Sequence, residues 1–238
     1  MPHVEIGPVD RGPRKLGGYL AIPGGDGPWP GVVAIHEAYG LNPVVHRQAD
    51  RLAAAGYLTL APDLYSDGGA ARCVLSTFRA MLTGRGKAIA DIAAARAHLT
   101  ERDDCTGRVG IIGFCMGGGF ALVTANRGFD AASSNYGPLP LHLEQALAGA
   151  CPIVGSYGGK DRVLMGATKK LTRTLQKLGV EHDVKEYPDA GHSFLNDTEV
   201  GPRPILPLLR VTGIRPEPEA AADAWQRIEG FFSRHLGG

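Results

Sequence analysis

Short apolar runs alternate with segments of helical period along most of this chain, and this alternation limits the possible fold more than any other feature. The strand-like runs are residues 16–22, 31–36, 57–61, 109–112, 131–135, 152–156 and 182–187. The helix-like segments are residues 44–55, 87–99, 118–126, 167–178 and 218–235. Strands separated by helices favour a parallel sheet with helices on both faces. The sequence therefore predicts an α/β fold with a mostly parallel sheet.

Two segments do not follow the alternation. Residues 63–84 predict a mixture of loop and short helix. Residues 201–218 hold five prolines among apolar side chains and predict a Pro-rich insert, which either folds over a pocket mouth or is disordered. We find no internal repeat and no composition shift that marks a boundary, so we expect a single domain over residues 1–238.

The charge and cysteine content exclude several classes of protein. Lys and Arg total 25 against 24 Asp and Glu, so nothing indicates a nucleic acid or an anionic membrane as partner. The four cysteines form no C-x-x-C pair, which argues against a disulfide scaffold or a zinc site. No secretory signal and no run long enough to span a membrane is visible. We expect a soluble cytoplasmic protein with reduced cysteines and no metal or cofactor.

The segment 113–117 reads Gly-x-Cys-x-Gly and has the form of a nucleophile elbow with sulfur at its centre. It joins the predicted strand 109–112 to the predicted helix 118–126. Such a turn holds its central residue in a strained conformation, and the flanking glycines let the backbones approach closely. The N-terminus of the helix then points at the side chain and favours a thiolate. Cys115 is the predicted nucleophile.

A cysteine nucleophile needs a base and a group that orients the base. Asp161 follows the strand 152–156, and His192 follows the strand 182–187. Ligand and catalytic groups lie at the carboxyl ends of strands in open α/β sheets. Each residue taken alone also has a non-catalytic interpretation. Cys115 could be a small buried side chain, Asp161 a turn former and His192 a solvated loop residue. The order nucleophile, acid, histidine is the one expected of an α/β-hydrolase and favours a catalytic triad.

The residues after the strand 31–36 add an oxyanion hole to this hypothesis. The backbone N–H groups of Ala38 and Met116 are the predicted donors, and Glu37 is expected to point toward the site from the same loop. The pair His36-Glu37 could instead belong to a zinc motif. The H-E-x-x-H pattern fails, however, because Gly40 stands four positions after His36.

These motifs resemble the dienelactone hydrolase family, a cysteine-using branch of the α/β-hydrolases. The matching segments are residues 36–42, 61–65, 113–118, 159–161 and 191–194, which occur in the expected order. The resemblance implies an α/β-hydrolase fold with about seven or eight strands. It also implies a triad of Cys115, His192 and Asp161. Glu37 would control the thiol by accepting its proton when substrate displaces it.

The resemblance further implies hydrolysis of a small ester or lactone through a thioester acyl-enzyme, by a monomer or small homo-oligomer. Candidate substrate-binding residues are Tyr39, Phe194, Asn196 and Arg72, with Arg79 as an alternative to Arg72. Dienelactone-cleaving members carry an arginine four positions after the histidine, where this chain has Asn196. Loss of a bidentate carboxylate clamp argues against a dienelactone itself as substrate.

Two other functions stay open at this point. A non-catalytic or sensing protein could bind a small molecule on the same scaffold, and the change at Asn196 favours that interpretation. A redox role for Cys115 would need a second cysteine, and Cys73, Cys105 or Cys151 would have to approach it in space.

Overall fold

The computed structural model describes residues 3–6, 16–199, 201 and 214–237. Its strands are β1 (His3–Ile6), β2 (Leu16–Ala21), β3 (Trp29–Ile35), β4 (Leu58–Pro62), β5 (Cys105–Phe114), β6 (Ala131–Asn135), β7 (Ile153–Gly158) and β8 (His182–Tyr187). Its helices are α1 (Pro43–Ala54), α2 (Ala70–Thr83), α3 (Lys87–Thr100), α4 (Met116–Thr124), α5 (Leu143–Leu147), α6 (Ala167–Leu178) and α7 (Pro218–Leu236).

The eight strands form one sheet in the order β1-β2-β4-β3-β5-β6-β7-β8. Strand β2 runs antiparallel to β1 and to β4, and all pairs from β4 to β8 are parallel. The carboxyl ends of the parallel strands therefore meet at one edge of the sheet, where functional groups of open α/β sheets gather. This α/β-hydrolase architecture confirms the predicted fold class.

Alternate residues of the central strands face two separate cores. Val33 and Ile35 belong to the core under α2 to α6, whereas Val32 and Ala34 belong to the core under α1 and α7. This alternation follows from the two-residue period of a strand, and burial on both faces explains why the central strands read as continuous apolar runs. Helices therefore cover both faces of the sheet, as predicted.

Helix α1 shows how local sequence determines an element boundary. The side chain of Asn42 accepts hydrogen bonds from the N–H groups of Val44, at 2.9 Å, and Val45. Pro43 occupies the first turn, where its missing N–H costs nothing. The helix thus begins immediately after the loop that carries Glu37 and Ala38, and its cap anchors that loop.

The structure differs from the sequence prediction in three elements. The short strand β1 and the short helix α5 were not predicted, and the segment 63–84 contains α2, a regular helix of 14 residues. Thr77, Ala80 and Met81 form the buried side of α2, a helical spacing that includes a threonine and is therefore weak in the sequence. Strand β5 also extends beyond the predicted residues 109–112 at both ends.

The predicted Pro-rich insert lies mostly outside the described residues, since 202–213 are not described. The single-domain organisation over residues 1–238 stays a prediction. Within the described ranges, no helix is both long enough and apolar enough to cross a membrane. All four cysteines are unpaired thiols.

Candidate active site

Cys115 lies at the sharp turn between β5 and α4. Its backbone has φ 52° and ψ −118°, a conformation that a residue with a side chain rarely adopts. A Cβ atom at Gly113 would collide with the carbonyl oxygen of Gly117, and one at Gly117 would collide with the carbonyl oxygen of Ile35. The flanking glycines are therefore required for close packing. The turn presents the half-buried Cys115 side chain at the carboxyl edge of the sheet.

Asp161 and His192 come together from the turns that follow β7 and β8. Nδ1 of His192 lies 2.6 Å from Oδ2 of Asp161, and the Asp161 side chain is only 1% exposed. The other carboxylate oxygen of Asp161 accepts a hydrogen bond from the N–H of Val163 at 3.0 Å. Because both oxygens are held, the carboxylate fixes the orientation of the imidazole. Nδ1 carries the proton, and Nε2 is free for another partner.

The other neighbour of this imidazole is Cys115, which lies close enough to raise the pKa of His192. Burial alone lowers the pKa of His192, but the hydrogen bonds to Asp161 and Cys115 outweigh it and raise the pKa to about 10. A proton on the imidazole is favoured when the sulfur beside it carries the negative charge. The structure thus brings together the three residues that the sequence predicts as a triad.

The loop after β3 is fixed by a buried neutral histidine. Nδ1 of His36 donates to the carbonyl of Glu37 at 2.7 Å, and its Nε2 accepts from the N–H of Leu64 at 3.2 Å. Burial lowers the pKa of His36, which keeps the ring uncharged and leaves one nitrogen as an acceptor. His36 is therefore a structural link between the loops after β3 and β4.

The two residues that carry the predicted oxyanion donors, Ala38 and Met116, both contact Tyr65. The hydroxyl of Tyr65 donates to the carbonyl of Ala38 at 3.0 Å and also lies 3.8 Å from the sulfur of Met116. Met116 is the first residue of α4, so its N–H has no acceptor within the helix. The close approach of Gly117 to Ile35 holds the start of α4 against the end of β3. This arrangement supports the proposed roles of the Ala38 and Met116 N–H groups.

Glu37 is buried in a polar network beside the triad. Its Oε1 accepts hydrogen bonds from Oγ of Ser193 at 3.1 Å and Nδ2 of Asn196 at 3.2 Å, and Tyr136 is a further partner. Burial raises the pKa of Glu37, and this outweighs the lowering effects of His192 and of the hydrogen bonds. The charge of His192 acts on Glu37, so this carboxyl group lies near the imidazole of the predicted triad.

Sequence reasoning missed Tyr136, Ser193 and Gln48. Tyr136 has φ 39° and its ring centroid lies 5.1 Å from that of His192. Its hydroxyl donates to Oδ1 of Asn196 at 3.3 Å, and Nε2 of Gln48 donates to the same oxygen at 3.0 Å. Tyr136 directly follows β6, so the rule that identified Asp161 from the end of its strand would also have identified this residue.

The predicted substrate-binding residues occupy different environments. Tyr39 is 42% exposed, and burial together with the charges of Glu37 and Cys115 raises the pKa of its hydroxyl, so this residue lies within electrostatic range of the proposed site. Phe194 is fully buried against Tyr136 and Tyr187. A contact between Phe194 and a substrate would therefore require that cluster to open.

Asn196 and the two candidate arginines also lie in separate places. Asn196 is 3% exposed, and its amide bonds to Glu37, Gln48 and Tyr136 rather than facing outward. Arg72 is exposed on α2, with its aliphatic stem beside Gly68. Arg79 lines a cavity whose walls include none of Cys115, Asp161 and His192. The structure therefore does not arrange Asn196, Arg72 and Arg79 as a carboxylate clamp.

The end of the Pro-rich segment joins the loop that carries His192. The N–H of Arg215 donates to the carbonyl of His192 at 3.2 Å, and that of Glu217 donates to the carbonyl of Phe194 at 3.1 Å. A lid over the site stays a prediction, since residues 202–213 are not described. Among the described residues, no group of three or more His, Cys, Asp and Glu side chains is arranged to hold a metal ion.

Comparison with known proteins identifies the family. The model of the dienelactone hydrolase family matches residues 16–236. A protein of Saccharolobus solfataricus named "Putative carboxymethylenebutenolidase" is 28% identical, and the alignment covers 94% of this chain and 96% of that protein.

Solved structures agree with this assignment. A dienelactone hydrolase-like promiscuous phosphotriesterase from metagenomic libraries is 26% identical with a TM-score of 0.80, over 99% of this chain and 98% of the other. The dienelactone hydrolase from Anabaena variabilis has a TM-score of 0.73 at 23% identity, over 99% and 97% of the two chains, and shows the fold alone.

Proposed function

We propose that this chain, which belongs to the dienelactone hydrolase family and is an ester and lactone hydrolase, acts through a Cys115–His192–Asp161 triad. The observation that carries the proposal is the position of His192, which hydrogen-bonds to Asp161 through Nδ1 and lies near enough to Cys115 for the sulfur to raise its pKa. This is the geometry of a nucleophile, a base and an orienting group. The family assignment favours an enzyme over a non-catalytic binding protein.

In the acylation step the sulfur of Cys115 attacks the carbonyl carbon of the ester or lactone, and its proton passes to His192. The carbonyl oxygen becomes an oxyanion, which the N–H groups of Ala38 and Met116 stabilise. Collapse of this intermediate breaks the carbon–oxygen bond of the ester, and His192 gives its proton to the departing alkoxide. A thioester on Cys115 remains.

In the deacylation step His192 accepts a proton from a water molecule, which attacks the thioester carbonyl. The same two N–H groups stabilise the second oxyanion. Breaking of the carbon–sulfur bond releases the carboxylic acid, and His192 returns its proton to the departing sulfur, which restores Cys115. Asp161 keeps its negative charge throughout and stabilises the imidazolium that forms in each step.

Small activated esters and lactones are the proposed substrates. A thiolate is a good nucleophile toward their carbonyl groups, and an enolate or phenolate departs easily. Asn196 is turned into the network around Glu37, so it does not supply a clamp for a substrate carboxylate. Tyr39 supplies a partly exposed aromatic surface on the loop that carries Glu37 and Ala38. Together these features favour an uncharged acyl group over a dienelactone carboxylate.

Glu37 is proposed to control the thiol. Its raised pKa lets this carboxyl group accept a proton at a higher pH than an ordinary glutamate. The Cys115 side chain interacts with the imidazole of His192. Gating therefore requires a second rotamer of Cys115 in which the thiol faces Glu37. Ser193 and Asn196 hold Oε1 in place and limit the carboxylate to small movements.

The test is the turnover of p-nitrophenyl acetate by Cys115→Ala and Cys115→Ser, with Cys73→Ala as the matched control. We expect both Cys115 variants to lose roughly 10⁴-fold or more in kcat, because the acyl-enzyme cannot form on the same atom. Mass spectrometry of the quenched wild type is expected to show an acetyl group on Cys115. An unchanged rate in Cys115→Ala would overturn the proposal.

A further inference from the structure

A second cavity lies on the face of the sheet covered by α2 to α6, away from the triad. It has a volume of about 880 Å³ and lies between α2, the start of α3, the end of α4 and the residues before α5. None of Cys115, Asp161, His192 and Glu37 lines it. Its volume is in the range of small-molecule pockets, so the cavity is large enough for a ligand of its own.

The charged side chains of this cavity are all cationic. They are Arg79, Arg85, Lys87 and Arg127, and none of the described lining residues is an aspartate or glutamate. The whole chain is nearly neutral, with a net charge of +1, so this is a local concentration of positive charge. Such a concentration in a concave surface attracts anions.

Two of the four cations are already engaged. Lys87 forms ion pairs with Asp91 at 2.6 Å and Asp67 at 3.4 Å. Arg127 donates to the carbonyl of Gly84 at 2.8 Å, which fixes its guanidinium at the cavity wall. Arg79 and Arg85 have no carboxylate partner within the described ranges of the chain. Their guanidinium groups are therefore available to bind an anion.

The N-terminus of α3 adds backbone donors to the same wall. Gly86, Lys87 and Ala88 line the cavity, and α3 begins at Lys87. The N-cap residue Gly86 supplies no capping side chain, and the first turn contains no acidic residue. The first N–H groups of a helix lack partners within it, and the helix dipole places partial positive charge there. An oxyanion at this point would meet both these N–H groups and the arginines.

Part of the remaining wall is apolar. It consists of Leu82, Val123, Pro140 and the exposed Leu141, and polar side chains such as Thr83 and Asn126 line the rest. A ligand that fits both parts of the cavity has an anionic end and an apolar body.

We propose that this cavity binds small organic phosphates. The phosphoryl oxygens are held by Arg79, Arg85 and the N-terminal N–H groups of α3, and the apolar body lies against Leu82 and Leu141. The planar fork of arginine matches the oxygens of a phosphoryl group in a bidentate way.

The test is isothermal titration of the full chain with phenyl phosphate, inorganic phosphate and phenol at low ionic strength. We expect phenyl phosphate to bind more tightly than inorganic phosphate, and phenol not to bind. The double variant Arg79→Ala/Arg85→Ala is expected to lose about tenfold or more in affinity for phenyl phosphate, because two charge-assisted contacts disappear. Arg173→Ala, an exposed arginine on α6 that does not line the cavity, is the matched control.

Each other outcome counts against the proposal. Equal affinity in the wild type and the double variant, or no saturable binding to the wild type, would overturn it. Equal affinity for inorganic and phenyl phosphate would show that the apolar wall does not contribute to binding, which contradicts the proposed ligand class. Competition between phenyl phosphate and p-nitrophenyl acetate would show that phenyl phosphate binds at Cys115 and not in the second cavity. The single variant Arg85→Ala, at a residue that lines this cavity and was not a candidate for the active site, should hydrolyse p-nitrophenyl acetate at the wild-type rate, which separates this site from the proposed triad.

Discussion

Oδ2 of Asp161 accepts a hydrogen bond from Nδ1 of His192 at 2.6 Å, although the two residues are 31 positions apart in the chain. They meet because β7 and β8 are adjacent parallel strands, and the turns that follow them leave the sheet at the same edge. The N–H of Val163 holds the second carboxylate oxygen. The imidazole is therefore oriented by a carboxylate whose two oxygens are both held by hydrogen bonds.

Asp161→Asn tests this orientation. The amide cannot carry the negative charge, and it allows the wrong tautomer of His192, so we expect kcat for p-nitrophenyl acetate to fall by about 10²- to 10⁴-fold. The pKa of His192 should fall as well, because Asp161 raises it. Kinetics and an NMR titration of the histidine measure the two effects. Asp189→Asn, which changes an exposed carboxylate in the same loop region, is the control. A wild-type rate in Asp161→Asn would remove Asp161 from the triad.

The stability of the protein should depend on pH through His192. Its pKa of about 10 in the folded protein lies above the ordinary value of 6.5. The folded state therefore binds this proton more tightly than the unfolded state. The resulting contribution to the free energy of unfolding is complete below pH 6.5, weakens above it, and is lost as the pH rises through about 10.

Urea titrations of the wild type and His192→Gln across this pH window measure that contribution. We expect the difference in unfolding free energy between the two proteins to shrink as the pH rises. His142→Gln, on the exposed surface just before α5, is the matched control. A difference that stays constant with pH would show that the proton on His192 does not stabilise the fold.

Glu37→Gln should change how Cys115 reacts with iodoacetamide. The variant keeps the shape of the side chain but cannot accept a proton from the thiol, so we expect the pH profile of alkylation to lose the inflection that Glu37 contributes. Because burial raises the pKa of Glu37, that inflection lies above the ordinary value of 4.5. Glu186→Gln, on the exposed side of β8, controls for the loss of a charge. Superimposable profiles would remove the gating role.

Gly117→Ala should destabilise the protein strongly. The added methyl group collides with the carbonyl oxygen of Ile35 and would push α4 away from β3. Overpacking of this kind costs about 3 kcal/mol. Gly24→Ala is the matched control, since a Cβ there meets no atom within 4 Å. Chemical denaturation of both variants gives the comparison, and equal stability would contradict the close packing at the elbow.

Much of the architecture follows from local pattern. The apolar runs at 31–36, 57–61 and 131–135 match β3, β4 and β6, and their ends differ from the strand ends by two residues at most. They are visible in the sequence because a strand buried on both faces must be apolar along its length. The sequence of residues 63–84 predicts only a mixture of loop and short helix, whereas this segment contains α2. Its buried side includes Thr77, and it packs against α3 and α4 rather than the sheet, so its periodicity is weak in the sequence.

Cys115, Asp161 and His192 were predictable for the same local reason. Each directly follows a strand or the turn after it, and the topology of a parallel sheet collects such positions at one edge. Tyr39 was predictable from its place in the loop after β3. The surroundings of Asn196 were not predictable, because its position four residues after His192 does not show whether its amide faces a substrate or the interior.

The sequence by itself determined the alternation of the main strands and helices, the elbow at Cys115 and the places of Asp161 and His192 after their strands. Strand period, glycine sterics and capping act over a few residues and are therefore visible in the chain. Only the tertiary structure decided that Asn196 and Ser193 hold Glu37, contacts that span 159 and 156 positions. It also decided that Arg79 and Arg85 share a cavity with the start of α3. Such contacts depend on how helices and loops pack in three dimensions, which no local pattern specifies.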